Sequence, residues 1–99
     1  MKKINLAVTG CMGRMGRHII KSAQLDKNFK LVSLTEGKKI NKKISGIRID
    51  LNTEKAFKNS NLIIDFSTPK CTFQVLKIAS KLKKRVVIGT TGFSKGEEN

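Results

Sequence analysis

The sequence predicts an α/β fold in which a parallel β-sheet carries helices on its faces. Three observations carry that reading. Short apolar runs alternate along the chain with segments of helical periodicity. The first apolar run enters a glycine-rich turn that opens a helix, Gly10-Cys11-Met12-Gly13-Arg14-Met15-Gly16. A later run is followed by Thr68-Pro69, a hydroxyl residue before a proline, which is a common way for a helix to begin.

Ile4–Thr9 reads as a short apolar strand. From Arg14 to Leu25 the period becomes helical, with Met15, Ile19, Ile20 and Ala23 on one face and Arg17, Lys21 and Gln24 largely outside it. Asp26-Lys27-Asn28 breaks that helix, and residues 29–35 alternate as a second strand anchored by Phe29, Leu31 and Leu34. The unit has the length of one βαβ crossover. Residues 36–51, rich in lysine and broken by Gly37 and Gly46, read as a loop with a short extended piece at Ile47-Arg48-Ile49. Residues 53–58 can form a helical turn or two, capped by Asn52 or Thr53.

Leu62-Ile63-Ile64-Asp65-Phe66 is nearly all apolar, as in a strand covered on both faces. The helix that follows Thr68-Pro69 extends to about Lys83, with Thr72, Val75, Leu76, Ala79 and Leu82 facing inward. Arg85–Ile88 reads as a further buried strand that ends in Gly89-Thr90-Thr91-Gly92-Phe93. The pattern amounts to about four parallel strands, an incomplete sheet joined by right-handed crossovers.

The 99 residues suffice for one small domain, and at 38% hydrophobic content its core is thin. The net charge of +14 would ordinarily raise polyanions as partners. The lysines are scattered, however, with only short runs at Lys38-Lys39, Lys42-Lys43 and Lys83-Lys84. Lys, Ile and Asn share A/T-rich codons, so genome composition is the favoured explanation of the excess over a nucleic-acid surface. Trp and Tyr are absent, which removes the best stacking platforms for single strands. No nucleic-acid partner is expected. Cys11, Cys71 and the single His18 make neither a disulfide framework nor a metal site. No apolar run reaches membrane-spanning length, and the N-terminal run reads as a strand rather than a signal peptide. No membrane partner and a cytoplasmic location are expected.

The glycine turn carries the chemistry. Gly10 permits the tight turn out of the strand, Gly13 lets backbone amides approach a pyrophosphate, and Gly16 lets the helix pack on the sheet. The helix N-terminus then offers N–H groups to phosphate. The spacing is GxxGxxG, with Met12 where the Rossmann fingerprint GxGxxG has its second glycine. Glu36 ends the second strand, where a carboxylate can accept hydrogen bonds from ribose hydroxyls or simply be a solvated loop acid. Lys38 and Lys39 could receive a 2′-phosphate or simply be solvated. Gly89, Thr90 and Thr91 end a strand at the same sheet edge, where ligands of open α/β sheets bind, although such a stretch is also an ordinary turn. Asp65 is either a buried, hydrogen-bonded acid or sits at the strand mouth, with the structural role favoured; Cys71 reads as half-buried filler and His18 as a surface or boundary residue. Cys11 is either a small residue contributing its amide or a thiol whose pKa the helix N-terminus lowers.

Taken together, three segments resemble the 4-hydroxy-tetrahydrodipicolinate reductase family, also called dihydrodipicolinate reductase. Gly10-Cys11-Met12-Gly13-Arg14-Met15-Gly16-Arg17 resembles its GxxGRMGR signature. Ile64-Asp65-Phe66-Ser67-Thr68-Pro69 is similar to its IDFTxP segment, and Val87-Ile88-Gly89-Thr90-Thr91-Gly92-Phe93 to its VIGTTGF segment. The resemblance implies a Rossmann-like, truncated NAD(P)-binding domain over residues 1–99. It implies NADPH or NADH as cofactor and reduction of 4-hydroxy-tetrahydrodipicolinate to tetrahydrodipicolinate on the diaminopimelate route to lysine. It further implies that Gly10, Cys11, Met12, Gly13, Arg14 and Met15 hold the pyrophosphate. Glu36 would bind the adenosine ribose, and Gly89, Thr90 and Thr91 would lie beside the nicotinamide. Gly37 stands where the family often has an arginine for the 2′-phosphate, which leaves the choice between NADPH and NADH open.

The family's catalytic histidine pair, lysine and DAPSGT-like stretch, and its substrate-binding and tetramer-forming domain, have no counterpart in these residues. No catalytic residue is therefore assigned, and the chain alone is expected to bind dinucleotide without turnover. The small-molecule substrate and the homotetramer are expected of the full-length enzyme only. The alternative is a stand-alone dinucleotide-binding or sensing module.

Overall fold

A computed structural model describes residues 3–89 of the chain. The sheet is built outward from β1 (Ile4–Thr9), whose burial deepens along its length until its last four residues are fully covered. α1 (Arg14–Leu25) leads to β2 (Phe29–Glu36), which pairs with β1 in parallel. A hairpin follows, β3 (Lys43–Ile44) and β4 (Ile47–Leu51), and β4 adds in parallel to β2. After the single turn of α2 (Glu54–Phe57) the chain crosses to the other side of β1 with β5 (Leu62–Asp65). α3 (Pro69–Leu82) and β6 (Arg85–Ile88) complete the described residues. The strand order is β3-β4-β2-β1-β5-β6. Strand order reverses beside β1, and such a switch point opens a crevice at the carboxyl ends of the strands.

Period-two alternation along β1 explains why both faces are covered. Leu6 and Val8 share a core with Ile20 and Ala23 of α1, Leu34 of β2 and Ile49 of β4. Ala7 points the other way, into a second core with Phe57 of α2, Ile63 of β5, and Val75 and Ala79 of α3. The caps follow from local chemistry. Thr53 accepts from the Ala56 amide at 3.1 Å, and Thr68 accepts from the Cys71 amide at 3.4 Å.

The α/β class and the four expected parallel strands are present, and three details differ from the sequence reading. First, the sheet has six strands among the described residues and is mixed, because the lysine-rich stretch forms a hairpin. Its turn residues Ser45 and Gly46 both have positive φ, 55° and 80°, the geometry that lets a two-residue turn follow the twist of its strands. Second, Met15 is exposed, and Gly16, Ile20 and Ala23 form the buried stripe of α1. The helix begins against the Gly10–Cys11 backbone, and only a residue without a side chain fits that contact. Third, β6 is not a buried strand: Val87 is 52% and Ile88 42% exposed. Among the described residues β6 pairs with β5 alone, so it forms an edge.

Candidate dinucleotide-binding site

The crevice at the switch point has a volume of about 630 Å³. Gly10, Gly13, Glu36, Gly37 and Lys38 line it from the side of β1 and β2. Phe66, Ser67, Thr68, Pro69 and Cys71 line it from β5 and the first turn of α3.

The three glycines of the turn have different physical reasons. Gly10 has φ +69°, and a Cβ there would lie 2.8 Å from the Phe66 carbonyl carbon. A Cβ on Gly16 would lie 2.3 Å from the Gly10 carbonyl oxygen. Both contacts are with backbone, so the fold itself demands glycine at 10 and 16. Gly13 is different: its nearest neighbour would be the Gly10 carbonyl oxygen at 3.4 Å. The protein's own packing tolerates a side chain at 13, and the missing one leaves room in the crevice. Gly13 is also the N-cap of α1, makes no side-chain capping bond, and no acid stands in the first turn. A helix start without its own cap or acid suits an anion.

Glu36 reaches back to this turn. The Met12 amide donates to its Oε2 at 2.7 Å, while the Gly10 amide donates to the Thr35 carbonyl at 3.0 Å. The end of β2 thus holds the glycine turn at two points. Cys11 is fully buried among Leu6, Val8 and Ile20. Burial, then the nearby Glu36 charge, push its thiol up to about 11. That corrects the option of a thiol activated at the helix start, because burial and the Glu36 charge outweigh the backbone hydrogen bond and the Arg17 charge that act the other way.

On the opposite wall, Asp65 is fully buried at the end of β5. Its Oδ1 accepts from the Thr9 and Ser67 hydroxyls and from the Ser67 amide at 2.9 Å, and its Oδ2 accepts from the Thr72 hydroxyl. The structural role read for this acid holds. The Gly89 amide donates to the Asp65 carbonyl at 2.8 Å, and a Cβ on Gly89 would strike the Phe66 ring. The three motif segments therefore meet at Asp65-Phe66-Ser67.

Gly10, Gly13 and Glu36 share the crevice, with the Met12 amide tied to Glu36. Arg14 and Met15 instead line an outer concavity on α1 with Arg17, His18 and Lys21. Gly89 sits behind Phe66, and Thr90 and Thr91 lie outside the described residues. Lys38 borders the crevice, whereas Lys39 borders a neighbouring concavity with Arg48 and Lys55. Sequence reasoning missed Cys71 as a crevice wall. A half-buried cysteine in a helix gives no signal of what it faces; only its place three residues after the Thr68 cap brings it to the sheet edge.

Fold and crevice together define an α/β domain of the dinucleotide-binding kind. The chain belongs to the family described as dihydrodipicolinate reductase, N-terminus, whose model matches residues 4–99. It is 65% identical over 98 residues to a 4-hydroxy-tetrahydrodipicolinate reductase of Pelagibacter ubique (strain HTCC1062), covering 99% of this chain and 38% of that protein. It is 38% identical to the enzyme of the same name from Buchnera aphidicola subsp. Acyrthosiphon pisum (strain Tuc7), covering 97% of this chain and 40% of the relative. The chain thus spans about two-fifths of the length of the curated relatives it matches.

Among solved structures, a dipicolinate-bound dihydrodipicolinate reductase from Paenisporosarcina sp. TG-14 superposes with a TM-score of 0.75 at 23% identity, over 97% of this chain and 40% of that one. An aspartate semialdehyde dehydrogenase with NADP from Candida albicans gives 0.75 at 12% identity, over 95% and 31%. At these identities the likeness is one of fold. No helix among the described residues is long and apolar enough to cross a membrane.

Proposed function

We propose that this chain is the nicotinamide-dinucleotide-binding part of an enzyme that reduces 4-hydroxy-tetrahydrodipicolinate to tetrahydrodipicolinate in the diaminopimelate route to lysine. The observation that carries the reading is Gly13. It is the one glycine of the turn that the protein's own backbone does not require, and it opens onto the crevice at an uncapped helix start. A pyrophosphate there meets the N-terminal amides of α1. Glu36, held by the Met12 amide through one oxygen, accepts from the adenosine ribose hydroxyls. Lys38 brings positive charge to the same end of the crevice and serves a 2′-phosphate, so both NADPH and NADH fit.

When bound, the nicotinamide supplies a hydride. This chain's residues hold and orient the dinucleotide and exclude water from one side of it. Hydride transfer also needs a positioned substrate and a proton source, and no residue of the crevice is assigned to either. We propose dinucleotide binding as the contribution of the described residues.

The test is a pair of assays. The purified 99-residue chain is titrated with NADPH and NADH. Oxidation of either cofactor in the presence of freshly generated 4-hydroxy-tetrahydrodipicolinate is followed for the chain and for a relative of full length. Saturable binding by both proteins, with turnover by the full-length one alone, supports the reading. Absence of dinucleotide binding by the chain contradicts it.

A further inference from the structure

Behind the crevice, one buried carboxylate gathers donors from three separate segments, and each donor sits in or beside the crevice wall. Thr9 immediately precedes Gly10, Ser67 lines the crevice itself, and Thr72 immediately follows Cys71. All of them donate to Asp65, which is fully buried, as are Thr9 and Thr72. A carboxylate in this position is costly unless its hydrogen bonds are made, and its oxygens fix the donors in direction as well as distance. An apolar residue would fill the same space between sheet and helix with less desolvation. What it would not do is tie the end of β1, the loop after β5 and the first turn of α3 to a single point.

We propose that Asp65 is a positioning residue for dinucleotide binding. Through Thr9 it sets the strand end that carries Gly10. Through the Ser67 amide and hydroxyl it sets the loop on the opposite wall, and through Thr72 it sets the helix turn that carries Cys71. The width of the crevice between the glycine turn and the Ser67 loop follows from this one group. The backbone reinforces the arrangement: the Phe66 amide donates to the Thr9 carbonyl at 3.2 Å, and Gly10 packs directly on the Phe66 carbonyl. A small displacement of such a wall costs binding far more than it costs folding. The inference rests on the reading of the crevice as a dinucleotide site.

The experiment compares Asp65→Asn with Val75→Ala in the full chain. Val75 lies on α3 in the core shared with Ala7, Phe57 and Ile63, and it does not line the crevice. Melting temperature and NADH affinity, read by nicotinamide fluorescence well below the transition, are measured for both. Asp65→Asn is expected to weaken NADH about tenfold, the effect of loosening one charge-assisted hydrogen bond, while Val75→Ala melts lower but binds as the wild type does. Should Asp65→Asn not fold, Thr72→Val removes a single donor, and its affinity is expected to fall in the same direction. Unchanged affinity in every folded variant, with wild-type binding intact, overturns the positioning role alone. Absence of NADH binding by the wild type overturns the reading of the crevice and this inference with it.

Discussion

The backbone amide of Met12 donates to the carboxylate of Glu36 at 2.7 Å, joining the glycine turn after β1 to the acid that ends β2. The bond holds Glu36 at the crevice and leaves it lone pairs for further donors. On the proposed reading, the pyrophosphate and ribose of a dinucleotide would be served by groups in direct contact. Glu36→Gln keeps the shape and removes the charge. It is expected to weaken NADH about tenfold, the scale of a hydrogen bond to a charged group. Isothermal titration checks this, and an unaltered affinity would remove Glu36 from the site.

The glycines separate fold from function. Glycine to alanine inside a helix ordinarily gains about 1 kcal/mol. Gly16→Ala is expected instead to destabilise by about 1–3 kcal/mol, because the new Cβ meets backbone that cannot step aside. Gly13→Ala is expected to fold as the wild type does and to lose dinucleotide affinity. Urea unfolding with parallel titrations distinguishes the two.

Cys11 and Cys71 are expected to differ in reactivity. Cys11 is fully buried with its thiol pushed up to about 11, whereas Cys71 is half-buried at the crevice. A disulfide reagent at neutral pH should label Cys71 first, and bound NADH should slow that labelling. The raised pKa also sets a pH dependence. The unfolded thiol ionises near 9.0 and the folded one near 11, so the unfolded chain releases its proton first. The contribution of the neutral thiol is complete below about 9 and is lost as pH rises through about 11. Cys11→Ala should lose that alkaline decline, measured by urea midpoints across the interval.

Lys38 borders the crevice beside Gly37, which has no side chain to offer a phosphate. Lys38→Ala is expected to weaken NADPH several-fold more than NADH, on the scale of one exposed charge-assisted contact. The difference should shrink as salt is raised. Paired titrations at two ionic strengths decide it, and equal losses for both cofactors would exclude Lys38 from the 2′-phosphate.

Much of this was legible in the sequence because local chemistry and tertiary structure agree. The strand entering Gly10, the helix from Arg14 and the Thr68-Pro69 start each obey a short-range rule that the fold keeps. The hairpin was harder. Lysines masked its alternation, and only the Ser45-Gly46 pair announced the turn. Met15 fitted the helical period yet is exposed, since periodicity cannot report that the helix starts against backbone. The Asp65 cluster was half visible: the acid read as buried, but Thr9 lies 56 residues away in sequence, and no pattern pairs them. Of the residues that line the crevice, Gly10, Gly13 and Glu36 were singled out by motif and spacing, while Cys71 emerged only from the packing of α3.

The most direct measurement is a fluorescence titration of the chain with NADH, run beside Gly13→Ala and Glu36→Gln. The account predicts saturation at one dinucleotide per chain, with both variants folded and much weaker in binding. Absence of saturation, or variants that bind as tightly as the wild type, would contradict the claim that this crevice is a nicotinamide-dinucleotide site.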